Sequence, residues 1–248
     1  MGLFDLFKNN KTLKNPVDLS VLVTDVHSHF IPGIDDGAKT LEDSIKLINE
    51  LHQLGYKKII TTPHTMSDFY KNTSKDILSG LELVRKEIKE KNIPIQLEAA
   101  SEYYLDYDFE RKIDDEELLT FGNKCVLFEV SYLNPPDNIY HVIFKMQTKG
   151  YQPVLAHPER YNFWHNQFNK YQEFVEKGVL LQLNINSLTG YYSEATKKIA
   201  ELLIENNMIS LLGTDCHHMG HIQLIKKAVY KKHLLQLVES GKLLNASL

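Results

Sequence analysis

The sequence contains little cysteine, no long apolar run and no surplus of basic residues. Its two cysteines, Cys125 and Cys216, are too few for a disulfide framework, so a reducing, cytoplasmic setting is the default expectation. No apolar run is long enough to cross a bilayer, so stable membrane insertion is not expected. The net charge of −4 argues against general nucleic-acid binding, which requires a basic face.

Several catalytic signatures are also missing. A cysteine-dependent tyrosine phosphatase needs an arginine six positions after its cysteine, but Ser131 and Ile222 occupy those positions. The Gly-x-Ser-x-Gly elbow of serine hydrolases is absent. No glycine-rich nucleotide-binding fingerprint follows the first predicted strand, which argues against an open dinucleotide-binding sheet.

Apolar runs and amphipathic stretches alternate along the chain. The predicted strands cover about residues 21–23, 57–62, 95–101, 125–130, 153–156, 179–185 and 209–213, and the last predicted helix runs from 222 to 235. This alternation predicts one α/β domain with a parallel sheet. Seven units that close on themselves would make a distorted TIM-like (β/α)7 barrel, and an open doubly wound sheet is the alternative.

We expect the barrel to span residues 21–248 as a single domain, after an N-terminal leader of residues 1–20. The leader begins with a short amphipathic stretch, which either packs on the outside of the domain or docks on a membrane surface or partner. The oligomeric state stays open.

A histidine pair begins the candidate site. His27 and His29 are two residues apart at the end of the first predicted strand, so their side chains point the same way. Paired neutral imidazoles are a common metal-ligand arrangement. The Pro-Gly turn that follows returns Asp35 and Asp36 toward the same place. This stretch alone supports a structural role equally well.

Other His and acidic residues fall at or near the ends of the other predicted strands. They are His64, Glu102, Glu129, His157, Asp215 and His217. In a closed parallel barrel all these strand ends meet on one face, where active sites lie. The joint pattern therefore predicts a site, although each residue alone has an ordinary structural explanation.

Together with His27, His29 and Asp36, these residues make nine candidate ligands, more than one ion needs. Mixed imidazole and carboxylate ligands suit Mn, Fe, Zn or Mg rather than a thiolate zinc site. Two or three neighbouring ions activate water and clamp a phosphate, so hydrolysis of a phosphate ester is the expected reaction. Arg160 is placed to hold phosphate oxygens, and a surface salt bridge is an equally good explanation of it.

The motifs of the chain resemble those of the PHP (polymerase and histidinol phosphatase) superfamily. They are Asp25-Val-His-Ser-His29, Thr62-Pro-His64, Ser101-Glu102, Phe128-Glu129, Ala156-His157-Pro-Glu-Arg160 and Thr214-Asp215-Cys-His217. With the segment 32–37, Pro-Gly-Ile-Asp-Asp-Gly, the set is similar to the CpsB/CapC-like branch of metal-dependent protein-tyrosine phosphatases from capsule and exopolysaccharide operons. The resemblance covers about residues 21–235.

The resemblance implies a distorted seven-stranded barrel with three divalent ions, usually manganese. The implied ligands are His27, His29, Glu102 and Asp215 for the first ion, Glu102, Glu129 and His157 for the second, and Asp36, His64 and His217 for the third. Histidinol phosphatases tend to use His at the positions of Asp36 and Glu129, so these acids favour the tyrosine-phosphatase branch. That branch usually carries a second phosphate-binding arginine after the Asp-x-His motif. This chain lacks it, which leaves His218 or His221 to replace it, or a different way of holding the phosphate.

The implied activity is hydrolysis of phosphotyrosine in proteins, and the implied partner is an autophosphorylated tyrosine kinase of polysaccharide export. The expected catalytic residues are Arg160, Asp215 and His217, and the expected substrate contacts are Arg160, Tyr161, His218 and His221. The aromatic residues Tyr103, Tyr104, Tyr161, Phe163 and Trp164 either form a wall for the phenyl ring or pack within loops. The alternatives are a small-molecule phosphatase, such as one for histidinol phosphate, and a non-catalytic metal-binding regulator.

Overall fold

Short parallel strands alternate with helices in the computed structural model, which describes residues 12–248. The strands are β1 (Thr24–Asp25), β2 (Lys58–Thr61), β3 (His64–Thr65), β4 (Gln96–Ala99), β5 (Glu102–Tyr104), β6 (Cys125–Glu129), β7 (Gln152–Ala156), β8 (Leu180–Asn184) and β9 (Leu211–Gly213). The helices are α1 (Leu41–Gln53), α2 (Ser74–Glu90), α3 (Tyr107–Asp115), α4 (Ile139–Thr148), α5 (Asn169–Glu176), α6 (Glu194–Glu205), α7 (Met219–Ala228) and α8 (Lys232–Glu239). Residues 1–11, which include the amphipathic start of the predicted leader, lie outside the described residues.

The strands form two parallel sheets, ordered β1-β2-β4 and β3-β5-β6-β7-β8-β9. Two residues separate β2 from β3 and β4 from β5, so the second strand of each pair continues the first in the neighbouring sheet. Pro63 lies in the first break, where its missing N–H removes a ladder hydrogen bond. The expected parallel α/β sheet is therefore confirmed, in the form of a curled sheet rather than an open, flat one.

Hydrogen bonds link the two outermost strands of the curl. Beyond the end of β9, the backbone N–H of Asp215 donates to the carbonyl of His27 at 2.8 Å, and that of His29 donates to the carbonyl of Cys216 at 3.1 Å. Within β1 and β9, the buried carboxamide of Asn245 takes the place of ladder bonds. It accepts from the N–H of Leu212 at 3.0 Å and donates to the carbonyls of Thr24 and Leu212 at 2.9 and 2.8 Å.

Apolar side chains fill both surfaces of the sheet. One buried cluster comes largely from the strands and their extensions, and includes Val26, Ile60, Ala100, Leu127, Val154, Ala156 and Leu211. A larger cluster joins the helices to the other side of the strands. Capping boxes start two of these helices, at Thr40 with Asp43 and at Thr73 with Asp76. None of the helices in residues 12–248 combines the length and apolar character needed to span a bilayer.

Two predicted elements are wrong. The segment 21–23 is not a strand, because Asp18 caps a 3-10 helix over Leu19–Leu22 and Val23 takes a left-handed φ of 62° before β1 begins. The single last helix is instead two helices, α7 and α8. In a continuous helix, the carbonyls of Val229 and Tyr230 would accept hydrogen bonds from N–H groups of the next turn. Here they accept instead from the N–H groups of Val17 and Leu13, each at 2.7 Å.

Candidate metal centre

A cavity of about 720 Å³ opens at the carboxyl ends of the strands. Seven of the nine predicted ligands line it, and the other two, His27 and His29, are fully buried. The nine residues come from six different strand ends, because a parallel curled sheet brings all of these ends to one face. The structure therefore brings together every predicted ligand.

The nine side chains form four overlapping groups, and within each group the candidate ligand atoms lie within 4.8 Å of one another. The groups are His29, Asp36, His64 and His217; His27, His29 and Glu102; His27, His157 and Asp215; and His64, Glu102 and Glu129. The predicted third set, Asp36 with His64 and His217, is complete and gains His29. In the predicted second set, His64 rather than His157 groups with Glu102 and Glu129.

Glu102 lies at the centre of these groups. Its Oε2 atom is 3.2 Å from Nε2 of His27 and 3.1 Å from Nδ1 of His64, while Oε1 is 2.9 Å from Nε2 of His157. The residue is fully buried, and Oε2 makes no hydrogen bond of good geometry within the described residues. A buried carboxylate is costly unless a cation or hydrogen bonds compensate its charge. Convergent imidazoles around such an oxygen fit divalent ions.

The carboxylates of the site raise the pKa values of two buried histidines. Burial lowers the pKa of His27, but the charges of Glu102 and Asp215 outweigh it and raise this pKa to about 9. Burial also lowers the pKa of His64, and Glu102 and Glu129 raise it to about 10. The site thus attracts positive charge, which protons or metal ions can supply.

Hydrogen bonds at Nδ1, the ring nitrogen that faces away from the centre of the site, orient three of the imidazoles. His27 donates from Nδ1 to Oε1 of Gln182 at 2.7 Å, and His29 donates from Nδ1 to Oδ2 of Asp35 at 2.8 Å. His217 donates from Nδ1 to the backbone carbonyl of Asp215 at 2.9 Å. In each ring Nδ1 thus keeps its proton, and Nε2, which faces the centre of the site, becomes the ligand atom once it is deprotonated.

A side-chain relay connects two of the candidate ligands. Gln182, held by His27, donates to Oδ1 of Asn184 at 2.9 Å, and Asn184 donates to Oδ2 of Asp215 at 2.6 Å. Gln182 was not among the predicted functional residues. The available signal was a buried amide in an otherwise apolar part of strand β8.

The turn after β7 places both His157 and Arg160. His157 has a left-handed backbone with φ of 35°, which is uncommon for a residue other than glycine. Glu159 is buried beneath the turn and accepts hydrogen bonds from the N–H of Asn184 at 3.0 Å and from Ser187 Oγ at 2.6 Å. Burial raises the pKa of Glu159 to about 7. These contacts fasten the turn to the end of β8.

Arg160 points into the cavity, so the surface salt bridge considered above is wrong. Its Nη1 atom donates to Oδ2 of Asp215 at 3.0 Å, and its Cζ atom lies 4.8 Å from the ring centre of Tyr132 and 4.2 Å from that of Tyr192. Burial lowers the pKa of Arg160, but Tyr132 and Asp215 raise it overall, so the guanidinium stays charged. Among the lining residues within 12–248, Arg160 is the only arginine or lysine.

The predicted contact between Tyr161 and substrate is wrong. Tyr161 is fully buried, and its hydroxyl accepts a hydrogen bond from the N–H of Val130 at 3.1 Å. Tyr103 and Trp164 are also buried, so these aromatic residues pack within the domain. Different aromatic residues line the cavity instead, namely Tyr132, Tyr191 and Tyr192. None of the three was among the predicted site residues, although Tyr132 lies only three residues after the end of strand β6.

His218 and His221 line the cavity, as expected for substrate contacts. Nδ1 of His221 lies 2.9 Å from the carbonyl of Asp215 and 3.3 Å from the N–H of His217, so backbone groups hold the ring through this atom. Burial lowers the pKa of His221, although Asp215 opposes this, to about 4. A neutral imidazole does not supply the charge of the missing second arginine.

The cysteines take no part in the site. Cys216 is fully buried and packs in the larger apolar cluster, and burial raises the pKa of its thiol well above the usual value. Burial also raises the pKa of Cys125 to about 11. Both thiols are therefore protonated near neutral pH, which agrees with the absence of a cysteine-dependent phosphatase motif.

Comparison with known proteins gives a consistent result. A family profile described as "Capsular polysaccharide synthesis, CpsB/CapC" matches residues 23–238. The tyrosine-protein phosphatase YwqE of Bacillus subtilis is 29% identical over 196 residues, which cover 79% of this chain and 77% of YwqE. The tyrosine-protein phosphatase CpsB of Streptococcus agalactiae is 28% identical over 201 residues, which cover 79% of this chain and 83% of CpsB.

Solved structures share the fold. One, described as YwqE from Bacillus subtilis and CpsB from Streptococcus pneumoniae, unique metal-dependent tyrosine phosphatases, superposes with a TM-score of 0.78. It is 27% identical and covers 90% of this chain and 94% of its own. A histidinol phosphate phosphatase from Lactococcus lactis has a TM-score of 0.51 at 16% identity, covers 88% of this chain and 94% of its own, and shares the fold alone.

Proposed function

The chain belongs to the CpsB/CapC family of capsular polysaccharide synthesis, and we propose that it is a metal-dependent phosphatase of phosphotyrosine in proteins. One observation carries this proposal. Within residues 12–248, nine imidazole and carboxylate side chains and one guanidinium come together at or beside one cavity at the strand ends. Several divalent ions beside a guanidinium, which can donate two parallel hydrogen bonds to phosphoryl oxygens, are typical of sites that hydrolyse phosphate esters.

The metal centre in this proposal holds three divalent ions, with manganese first and iron, zinc or magnesium as alternatives. The nine residues named above supply the ligands, and the four overlapping groups of ligand atoms support more than one ion. Bound ions of this kind supply an activated water molecule and neutralise charge on the phosphoryl group. Glu102 belongs to two of the groups, which suits a bridging carboxylate.

Arg160 binds the phosphoryl oxygens, and Asp215 aligns it with the metal centre. The two oxygens of Asp215 face different partners. Oδ1 lies 3.5 Å from Nε2 of His27 and 3.4 Å from Nδ1 of His217, whereas Oδ2 accepts from Arg160. One carboxylate thereby fixes the guanidinium relative to the ligands. His217, held through its own Nδ1, presents Nε2 to the same space.

The wall of the cavity favours an aromatic leaving group. Tyr132 and Tyr191 line it and are 41% and 49% exposed, so their rings are accessible to a phenyl group entering from solvent. A tyrosine phenolate leaves with a pKa of about 10, which reduces the need for a dedicated general acid. Both features favour phosphotyrosine over histidinol phosphate or phosphoserine.

The finer architecture is part of the same proposal. The chain forms a distorted (β/α)7 barrel of the PHP type over residues 21–248. Its second and third strands are each interrupted once, and the hydrogen bonds between residues 27–29 and 215–216 support closure. Of the predicted leader, residues 12–20 pack on this unit rather than outside it, since Val17 and Leu19 are buried in the larger apolar cluster.

The partner in this proposal is an autophosphorylated tyrosine kinase of polysaccharide export, which fits a family described by capsular polysaccharide synthesis. The natural location is the cytoplasm, where such a kinase carries its phosphotyrosines. The net charge of −4 argues against general nucleic-acid binding.

A comparison of substrates tests the function. Purified protein loaded with manganese is assayed on phosphotyrosine peptides, phosphoserine peptides and histidinol phosphate, before and after chelation. The proposal expects the highest kcat/KM on phosphotyrosine peptides and loss of turnover on chelation. A preference for histidinol phosphate would support a small-molecule phosphatase. Failure to hydrolyse even para-nitrophenyl phosphate would support a non-catalytic regulator.

A further inference from the structure

Arg160 is held by an unusual set of neighbours for a phosphate-binding arginine. Its guanidinium packs against the rings of two tyrosines, with Cζ 4.8 Å from the ring centre of Tyr132 and 4.2 Å from that of Tyr192. The two rings come from different loops, one directly after β6 and the other between β8 and α6. The rings of Tyr132 and Tyr192 are called the aromatic clamp below.

Each ring of the aromatic clamp is itself fixed. Tyr132 stacks on the buried ring of Tyr161, with centroids 5.5 Å apart and planes at 29°. The Tyr192 hydroxyl lies 3.4 Å from Oδ2 of Asp215, the atom that also accepts from Arg160. Neither ring therefore needs to reorient when Arg160 binds an anion.

The orientation of Arg160 matters in this cavity because other cationic side chains are scarce there. Among the lining residues within 12–248, Arg160 is the only arginine or lysine. His221 does not compensate, because backbone groups hold its Nδ1 atom, at 2.9 Å from the carbonyl of Asp215 and 3.3 Å from the N–H of His217, and a neutral imidazole brings no positive charge to a phosphoryl group. One long, flexible cation must therefore bind the phosphoryl oxygens without help from a second cationic side chain, and its rotational freedom opposes tight binding.

We propose that Tyr132 and Tyr192 are positioning residues that hold the Arg160 guanidinium in its phosphate-binding orientation, so that a single arginine suffices. Ring faces attract a guanidinium while leaving its outer N–H groups free. Nη1 is already engaged by Asp215, and the remaining donors are available for phosphoryl oxygens. This inference deepens the proposed phosphatase function and rests on it.

A double-mutant cycle tests the aromatic clamp. Tyr192→Leu and Tyr132→Leu are made alone and together with Arg160→Ala, and binding of inorganic phosphate to the manganese-loaded protein is measured by isothermal titration calorimetry. Each leucine variant is expected to weaken phosphate binding roughly tenfold, the scale of one partly buried cation–π contact. In the Arg160→Ala background, each leucine substitution is expected to change phosphate affinity by less than about twofold. The guanidinium that the ring would orient is absent there.

Conservative variants separate positioning from folding. Tyr192→Phe and Tyr132→Phe keep the ring and are expected to stay within about threefold of wild type, since the lost contacts of the hydroxyls are long, at 3.4 and 3.5 Å. Tyr230→Leu, a matched change at an exposed tyrosine away from the cavity, serves as the control. Metal content is measured for every variant and is expected to stay constant.

Two outcomes would overturn the aromatic clamp. One is equal loss of phosphate affinity on Tyr→Leu with and without Arg160, and the other is unchanged affinity in both single leucine variants. If Tyr192→Leu does not fold, the cycle on the partly exposed Tyr132 decides the question. Phosphate binding requires no turnover, so a protein that binds phosphate through the aromatic clamp but does not hydrolyse phosphotyrosine would disprove the proposed function alone.

Discussion

The side-chain oxygen Oε1 of Gln182 lies 2.7 Å from Nδ1 of His27. Both residues are fully buried, so this contact determines which imidazole nitrogen carries the proton. The Nε2 atom of His27 then faces Glu102 at 3.2 Å and is the nitrogen that can bind a metal ion once its own proton is released. A residue that binds no ion directly therefore prepares a candidate metal ligand.

Replacing Gln182 with Leu should lower metal affinity without removing any ligand. Loss of an outer hydrogen bond to a ligating histidine typically costs about 10- to 100-fold in affinity. Gln182→Glu keeps an acceptor for Nδ1 of His27 and should lose less. Competition titrations with a chelating dye measure both variants, and Gln236→Leu on the surface of α8 is the control. Unchanged affinity in Gln182→Leu would show that His27 is oriented without it.

Glu102→Gln should remove metal and activity together. The carboxylate lies fully buried among three histidines, and its charge is what makes cations favourable there. We expect fewer bound ions by elemental analysis and a loss of turnover of about two orders of magnitude or more. Glu98→Gln, the same change in a partly exposed salt bridge on β4, should leave both intact. Full metal content with normal turnover in Glu102→Gln would refute the bridging role.

Asn245→Ala should destabilise the fold rather than the site chemistry. The side chain satisfies the carbonyl of Thr24 and both backbone groups of Leu212 in a buried position. Leaving such groups unpaired costs about 1–3 kcal/mol each, so we expect a loss of at least about 2 kcal/mol in the free energy of unfolding. Urea denaturation measures it. Asn166→Ala, at an exposed turn residue whose side chain makes no hydrogen bond within residues 12–248, should change stability by less than about 0.5 kcal/mol.

The positions of the ligands could be predicted from sequence because they depend on topology alone. Parallel strands place all their carboxyl ends on one face, so His64, His157 and Asp215 could be assigned to one site without coordinates. The partition among ions could not be predicted in this way. It depends on side-chain directions within about 1 Å, and His64 rather than His157 joins the group of Glu102 and Glu129.

The aromatic residues show where periodicity stops being informative. Tyr161 follows Arg160 directly, but the turn that begins with the left-handed His157 directs its ring into the core. No hydrophobic pattern reveals such a turn. Tyr192 reaches the cavity from beyond a 3-10 helix over Ile185–Thr189, a segment without strand or α-helix periodicity. The aromatic clamp therefore became visible only in three dimensions.

Binding of metal should release protons. Burial lowers the pKa of His27 and His64, but the carboxylates around them raise these values to about 9 and 10, so both rings carry an extra proton at pH 7 in the metal-free site. Ligation requires neutral imidazoles, so apparent affinity for manganese should rise as pH increases from 7 toward 9. Calorimetric titration in buffers of different ionisation enthalpy counts the protons, and we expect more than one per protein. A heat of binding independent of buffer would contradict the assignment of these histidines as ligands.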